Sequence, residues 1–153
     1  LDKEAHLELA KDFVRLLRAL AAVDARYLLV GAYAVEFHGQ PRSTRHMDLW
    51  LDDEPENLER VYRALADFGA PDVAIEHLSA ASPLEVVWIG VPPNRIDLSK
   101  GMCTMDFASA WDRRVSTDVH GVKAWVIGRE DLIRAKRSTG RDKDKLDAEQ
   151  LSA

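Results

Sequence analysis

The sequence predicts an α+β domain, a mixed β-sheet with helices packed on it. Three observations point there. Residues 4–23 repeat apolar positions at helical spacing. Short apolar runs at 26–30, 46–52, 84–91 and 95–99 are bounded by Gly, Pro and polar loops, as strands are. The elements follow the order α-β-α-β-α-β-β-α-β-β-α-α, which is neither a strict βαβ repeat nor a run of strands alone. With 153 residues, 46% of them hydrophobic, one domain over 1–153 with a substantial core is expected.

Each element has its own local reason. In the first helix Leu7, Phe13, Val14, Leu16, Leu17 and Leu20 form the apolar stripe, and charged residues fill the other face. RYLLV at 26–30 is a short buried strand that ends at Gly31, and 32–38 is a short helix stopped by Gly39. QPRSTR at 40–45 is a polar loop. Along 46–52 the side chains alternate: Met47, Leu49 and Leu51 one way, His46, Asp48, Trp50 and Asp52 the other. Pro55 suits the first turn of a helix reaching Phe68, with Gly69 closing it. The strands at 84–91 and 95–99 are joined by Pro92-Pro93-Asn94 as a hairpin. Asp106 caps a helix over 106–113. Strands at 115–118 and 122–127 flank a His120-Gly121 turn, and helices at 129–138 and 142–151 finish the chain.

Charge and cysteine content narrow the function. Lys plus Arg is 21 and Asp plus Glu is 26, a net charge of −5. A protein that coats nucleic acid is usually basic, so a plain nucleic-acid binder is disfavoured. A single cysteine, Cys103, excludes an intramolecular disulfide and a Cys-rich zinc site, and it suits a reducing cytoplasm. No apolar run is long enough for a membrane helix. Asp2, Lys3, Glu4 and His6 stand where a secretory signal needs an apolar core.

Three features could carry chemistry. Gly31-Ala32 joins a buried strand to a helix, where unpaired N–H groups favour phosphate. Taken alone, such a junction is ordinary turn chemistry. His46 and Asp48 lie two apart on one strand, about 6.6 Å along it, so both leave the same face and can converge on one metal. Alone, H-x-D is a solvated strand face. Asp97 sits in RIDLS with Ile96 and Leu98 pointing the other way; alone, it is an aspartate paired with Arg95.

Taken together and in order, these segments resemble the nucleotidyltransferase fold of the DNA polymerase beta-like superfamily, and in particular the small bacterial MNT and AbiEii-type nucleotidyltransferases. LLVGAYAVEFHGQPRSTRHMDLWL resembles that family's Gly-Gly or Gly-Ser helix entry followed by R-x-T-x-D-x-D. VPPNRIDL resembles the strand bearing its third carboxylate, and DLIRAKRSTGRDKDKLD its lysine-bearing helix with a K-D-x-x-D segment. The resemblance implies a nucleotidyltransferase-like core. It implies Asp48 and Asp97 as catalytic metal ligands with His46 beside them. It also implies Gly31, Ala32, Arg42 or Arg45, Thr44 and Lys136 around the phosphates of an NTP. The implied cofactor is a divalent ion, Mg²⁺ or Mn²⁺, and many such proteins are toxin–antitoxin partners.

Two positions depart from the pattern. His46 replaces the first carboxylate, and Ala32 the second glycine or serine. A neutral imidazole brings no negative charge and suits softer ions better than Mg²⁺. The metal is therefore expected to be weakly held and transfer impaired. The alternative is a non-catalytic binding module, antitoxin-like, that acts through a protein partner. The acceptor could be a protein side chain, a tRNA end or a small alcohol. His38 reads as packing at a helix end and Trp50 as a half-buried aromatic. Asp144 and Asp147 are expected to pair with Lys143 or Arg141.

Overall fold

A computed structural model describes residues 2–39, 46–90 and 94–153, the first nine of them as helix backbone only. Helix α1 spans Asp2–Ala22, strand β1 Tyr27–Val30, α2 Gly31–Phe37 and β2 His46–Leu51. Helices α3 (Pro55–Phe68) and α4 (Asp72–Ala80) precede β3 (Val87–Ile89) and β4 (Arg95–Ser99). Helix α5 (Phe107–Asp112), β5 (Val115–Val119), β6 (Val122–Val126), α6 (Arg129–Ser138) and α7 (Asp142–Ser152) follow. Among the described residues no helix is long and apolar enough to cross a membrane.

The six strands form one mixed sheet in the order β3-β4-β2-β1-β6-β5. Strand β1 pairs antiparallel with β2 and parallel with β6, and β2 pairs parallel with β4. The outer strands β3 and β5 pair antiparallel with β4 and β6. All four residues of β1 are buried, as a central strand covered on both faces requires. Helix α1 lays Phe13, Val14, Leu16, Leu17 and Leu20 into the core and packs on α3 and β6. A second layer is aromatic. Trp50 of β2 meets Phe107 of α5 edge-on at 5.1 Å, Phe107 stacks on Trp111, and Trp111 meets Trp125 of β6. Trp50 is thus fully buried, deeper than the half-buried position its alternation suggests.

The expected elements are present with shifts at their ends and one addition. Helix α4 is the addition. Its stretch, DVAIEHLSA, offers no clean stripe: Val73 is exposed and Leu78 is its one buried residue. It is held by packing on β3 and α3. Strand β3 is shorter than the expected 84–91, because only Val87, Trp88 and Ile89 find partners on β4, at Leu98, Asp97 and Ile96. Leu84 and Val86 are left in solvent. The Pro92-Pro93 connection lies outside the described residues, as does the 40–45 loop. Two local devices appear as expected. Asp106 accepts from the Ser109 N–H at the start of α5, and His120 and Gly121 both take positive φ, 50° and 85°, in the hairpin turn.

Asn57 fastens the far end of the sheet from the chemistry. It is buried on α3, where its side chain accepts from Arg26 N–H at 2.7 Å and donates to the carbonyls of Arg26 and Asp52 at 3.0 and 2.8 Å. These bonds tie the entry of β1 to the exit of β2, beside the Arg26–Asp52 ion pair at 2.6 Å. Removing the amide leaves three backbone groups short of a partner. Asn57→Ala is expected to lower stability by about 2–3 kcal/mol. Urea unfolding checks it, and a loss within about 0.5 kcal/mol would show that water replaces the amide at no cost.

Candidate active site

Because β2 and β4 run parallel and in register, Asp48 and Asp97 are direct partners. Paired residues on neighbouring strands leave the same face about 5 Å apart. The row continues to Trp88 on β3 and Val30 on β1. The two carboxyl groups come within hydrogen-bond reach of each other. Burial, the charge of Asp97 and that shared hydrogen bond push Asp48 up to about 7, while Arg95 and Lys136 pull it back part of the way. At neutral pH the pair therefore holds on the order of one proton between two acids.

Asp97 keeps the partner its spacing suggests. Arg95, two residues earlier on the same face, donates from Nε to Oδ1 at 2.6 Å and from Nη2 to Oδ2 at 3.2 Å. On the other side of Asp48, Gly31 opens α2 with φ 66°. A Cβ built there would fall on the Asp48 carboxylate. Only glycine suits this position, through its backbone angle and through the space it leaves. Ala32 follows on the same short helix.

A pocket of about 320 Å³ opens over the pair. Gly31, Asp48 and Asp97 line one side, and Lys136 of α6 enters from the other, with Val86 and Leu132 as apolar wall. Lys136 is held by two carboxylates of α7, Asp144 at 3.3 Å and Asp147 at 3.4 Å. Asp144 also accepts from Arg141 Nε and from Thr139 Oγ1, both at 2.8 Å. The expected pairing of Asp144 with Arg141 is therefore present. For Asp147 the lysine reached is Lys136, because Lys143 is exposed on α7 while Asp147 lies on its buried side. These polar contacts, with Thr139 and Arg141 on the rim, were not singled out by spacing; the S-T-G-R turn between α6 and α7 is their one sequence signal.

The remaining candidates fall elsewhere. His46 is exposed at the first residue of β2, partnered in register by Arg95, and is not among the residues lining the pocket. Arg42, Thr44 and Arg45 lie outside the described residues. His38 ends α2, and its Nε2 bonds the Ile127 carbonyl at 2.8 Å, a packing role. Among the described residues no group of three or more His, Cys, Asp or Glu side chains gathers closely enough to hold a metal ion. The chemistry of the pair nonetheless fits one hard divalent cation. Two close carboxylates that keep a proton at neutrality offer oxygen donors to an ion that replaces it.

No family model matches the sequence, and no curated protein matches it. Solved structures do match in fold. The lincomycin-bound lincosamide antibiotic adenylyltransferase LnuA superposes with a TM-score of 0.59 at 16% identity, covering 94% of this chain and 96% of that one. An antigenic nucleotidyltransferase-like protein from Paracoccidioides brasiliensis superposes with a TM-score of 0.52 at 17% identity, covering 94% of this chain and 73% of that one. The fold is thus shared with nucleotidyltransferases.

The acid pair predicts a pH signature. Folded Asp48 keeps its proton up to about pH 7, whereas an unfolded aspartate ionises near 3.9. Between those values the folded state binds more protons, so this group's stabilising contribution is complete below about pH 4 and is lost as pH rises through about 7. In EDTA, Asp48→Asn is expected to melt above the parent at pH 8 and to lose that advantage at pH 4. Thermal unfolding of both proteins across the range checks it, since the difference isolates this site. A gap that does not change with pH would mean the pair carries no proton. Gly31→Ala is expected to cost at least ~2 kcal/mol in the same assay, from its left-handed backbone and the overlap with Asp48.

Proposed function

We propose that the pocket binds a nucleoside triphosphate and transfers its nucleotidyl group to a hydroxyl acceptor. The observation that carries this reading is the in-register Asp48–Asp97 pair, set between the Gly31 helix entry and Lys136. The fold shared with LnuA and the nucleotidyltransferase-like protein supports it.

In this reading Lys136 meets triphosphate oxygens as a point charge. The backbone at Gly31 and Ala32 lies where phosphate can approach, since no Cβ at Gly31 blocks it. Arg42 and Thr44 are assigned to the same phosphates on their place in the sequence alone. A divalent ion held by Asp48 and Asp97 would polarise the α-phosphate and lower the pKa of the attacking hydroxyl. The acceptor oxygen forms a bond to the α-phosphorus, the bond from that phosphorus to the bridging oxygen breaks, and pyrophosphate leaves with the electron pair. The hydroxyl proton passes to solvent water, since the acid pair gives up its own proton to hold the ion.

His46 in place of a carboxylate gives the metal two charged ligands instead of three, so Mn²⁺ is expected to support binding better than Mg²⁺. A second reading has one observation in its favour: His46 stands outside the pocket lining. On that reading the chain is a non-catalytic relative of the MNT and AbiEii type that binds nucleotide and works through a protein partner, as an antitoxin does. On the transfer reading, a protein side chain, a tRNA end or a small alcohol is the acceptor to test.

Calorimetry with ATP, GTP, CTP and UTP, each with Mg²⁺ and with Mn²⁺, separates the readings. It is paired with labelled-nucleotide incorporation into the protein, candidate partners and tRNA. Binding with transfer is expected. His46→Asp is expected to tighten Mg²⁺-nucleotide binding and raise transfer; even ~3 kcal/mol of added transition-state stabilisation is on the order of a hundredfold in rate. Tight binding by His46→Asp with no transfer to any acceptor favours the binding module. No binding of any nucleotide by parent or variant overturns both readings of the pocket.

A further inference from the structure

Trp88 occupies an unusual place for a large aromatic side chain. Its neighbours Val87 and Ile89 are buried, while Trp88 is 53% exposed on the edge strand β3. In register it partners Asp97, which partners Asp48, so an indole and two carboxyl groups stand in one row on one face of the sheet. Neighbouring strands lie about 4.8 Å apart, which places the indole roughly 10 Å from Asp48 and half that from Asp97. Arg95 spans the first gap. Its guanidinium holds both oxygens of Asp97 and lies 5.4 Å from the Trp88 ring centroid.

A cation–π clamp alone accounts for the position of Arg95, but it leaves more than half of the indole in water. A bare apolar residue on a sheet edge invites unwanted pairing, and folds usually cover or charge such positions. Val86, also exposed, adjoins it and forms part of the pocket wall with Asp48 and Asp97. Trp88 is not itself among the residues lining the pocket; it stands beside the Val86 wall, on the opposite side of the acid pair from Gly31.

We infer that Trp88 is the floor of the acceptor subsite: the molecule that receives the nucleotide lays a ring face on the indole and so brings one hydroxyl over Asp97 and Asp48. The inference rests on the transfer reading above and names the acceptor's chemistry. The acceptor is a ring-bearing alcohol without negative charge. A ring face stacks on indole, whether it is the C–H face of a saturated sugar-like ring or the π face of a phenol. An anionic acceptor would meet two carboxyl groups, and Arg95, the guanidinium between them and Trp88, is already engaged by Asp97. Stacking supplies the orientation that makes transfer to one hydroxyl efficient.

The test uses the full chain, labelled with ¹⁵N, and reads the four indole N–H resonances expected of its four tryptophans. Trp88→Phe identifies the Trp88 signal by its loss. The probes are methyl α-D-glucopyranoside, tyramine and ring-free glycerol, each added without nucleotide. At least one ring-bearing probe is expected to shift the Trp88 signal saturably, with the other three indoles unmoved and glycerol without effect. Which ring acts tells a sugar-like acceptor from a phenolic one. If neither ring-bearing probe moves Trp88, or glycerol moves it equally, the subsite is wrong. A parallel titration with Mg-ATP and Mn-ATP, read at the Gly31 amide, keeps the two ideas apart. A nucleotide response at Gly31 with a silent Trp88 sinks the subsite and leaves the transfer reading standing. A ring response at Trp88 without any nucleotide response shows that the indole binds rings but overturns the transfer reading, and with it the role of Trp88 as an acceptor subsite.

Discussion

The space that glycine leaves beside Asp48 is the constraint on which the site turns. Strand β1 must end where β2 carries its carboxylate, because Val30 and Asp48 are register partners. The next residue enters a helix with φ 66°, and any side chain there would overlap the Asp48 carboxyl group. So the helix entry, the antiparallel β1–β2 pairing and the acid near the start of β2 are one geometric unit. The backbone at Gly31 can lie against the carboxyl only because nothing intervenes. A like-charged pair in neighbouring strands is unfavourable by itself, and the protein offsets it in two ways. One carboxyl takes a bidentate arginine, and the other takes a proton.

The opposite wall is built by a different logic. Lys136 lies mostly buried, with 18% of its side chain exposed, between α6 and α7. Burying an ammonium is costly unless it is paired, and α7 supplies Asp144 and Asp147 for that purpose. Asp144 in turn is held well below its usual range by Thr139, Lys136 and Arg141, which outweigh its burial. The result fixes the height of Lys136 above the sheet. A second buried acid, Asp131, is fully enclosed and takes both Arg113 and Arg134, joining α5 to α6. The lysine is therefore placed by a helix that is itself anchored near both ends.

Much of this was legible in the sequence, for identifiable reasons. Helices α3 and α6 and strand β4 have the boundaries that caps and alternation indicate, because Pro55, Gly69 and the I-D-L alternation are local signals. The facing of Asp48 and Asp97 could be anticipated only by combining strand parity with the order of segments in a resembling family, since parity alone does not choose which strands pair. Helix α4 was not legible, because its stability comes from contacts with β3 and α3 and not from its own pattern. The pairing of Lys136 with Asp147 was hidden for a similar reason: the two are joined across a helix turn that sequence spacing does not measure. His46 shows the limit from the other side. Parity puts it on the same face as Asp48, yet face is not depth, and at the first position of β2 it remains in solvent.

That difference between face and depth also explains how the row across the sheet divides its work. From β1 to β3 it runs Val30, Asp48, Asp97, Trp88, passing from buried through half-buried to exposed. Desolvation therefore declines along the row. It is strongest where it raises the proton affinity of Asp48 and weakest where the indole meets water. In the proposed reaction a phosphate chain between Gly31 and Lys136 would enter the drier end, where charge interactions act over low dielectric. An acceptor approaching over the β3 edge stays on the wetter end, where stacking survives solvent and exchange is fast. The two reactants would then meet over Asp97, whose carboxyl is held at the midpoint by Arg95. The open edge at β3 is sufficient to set up that gradient.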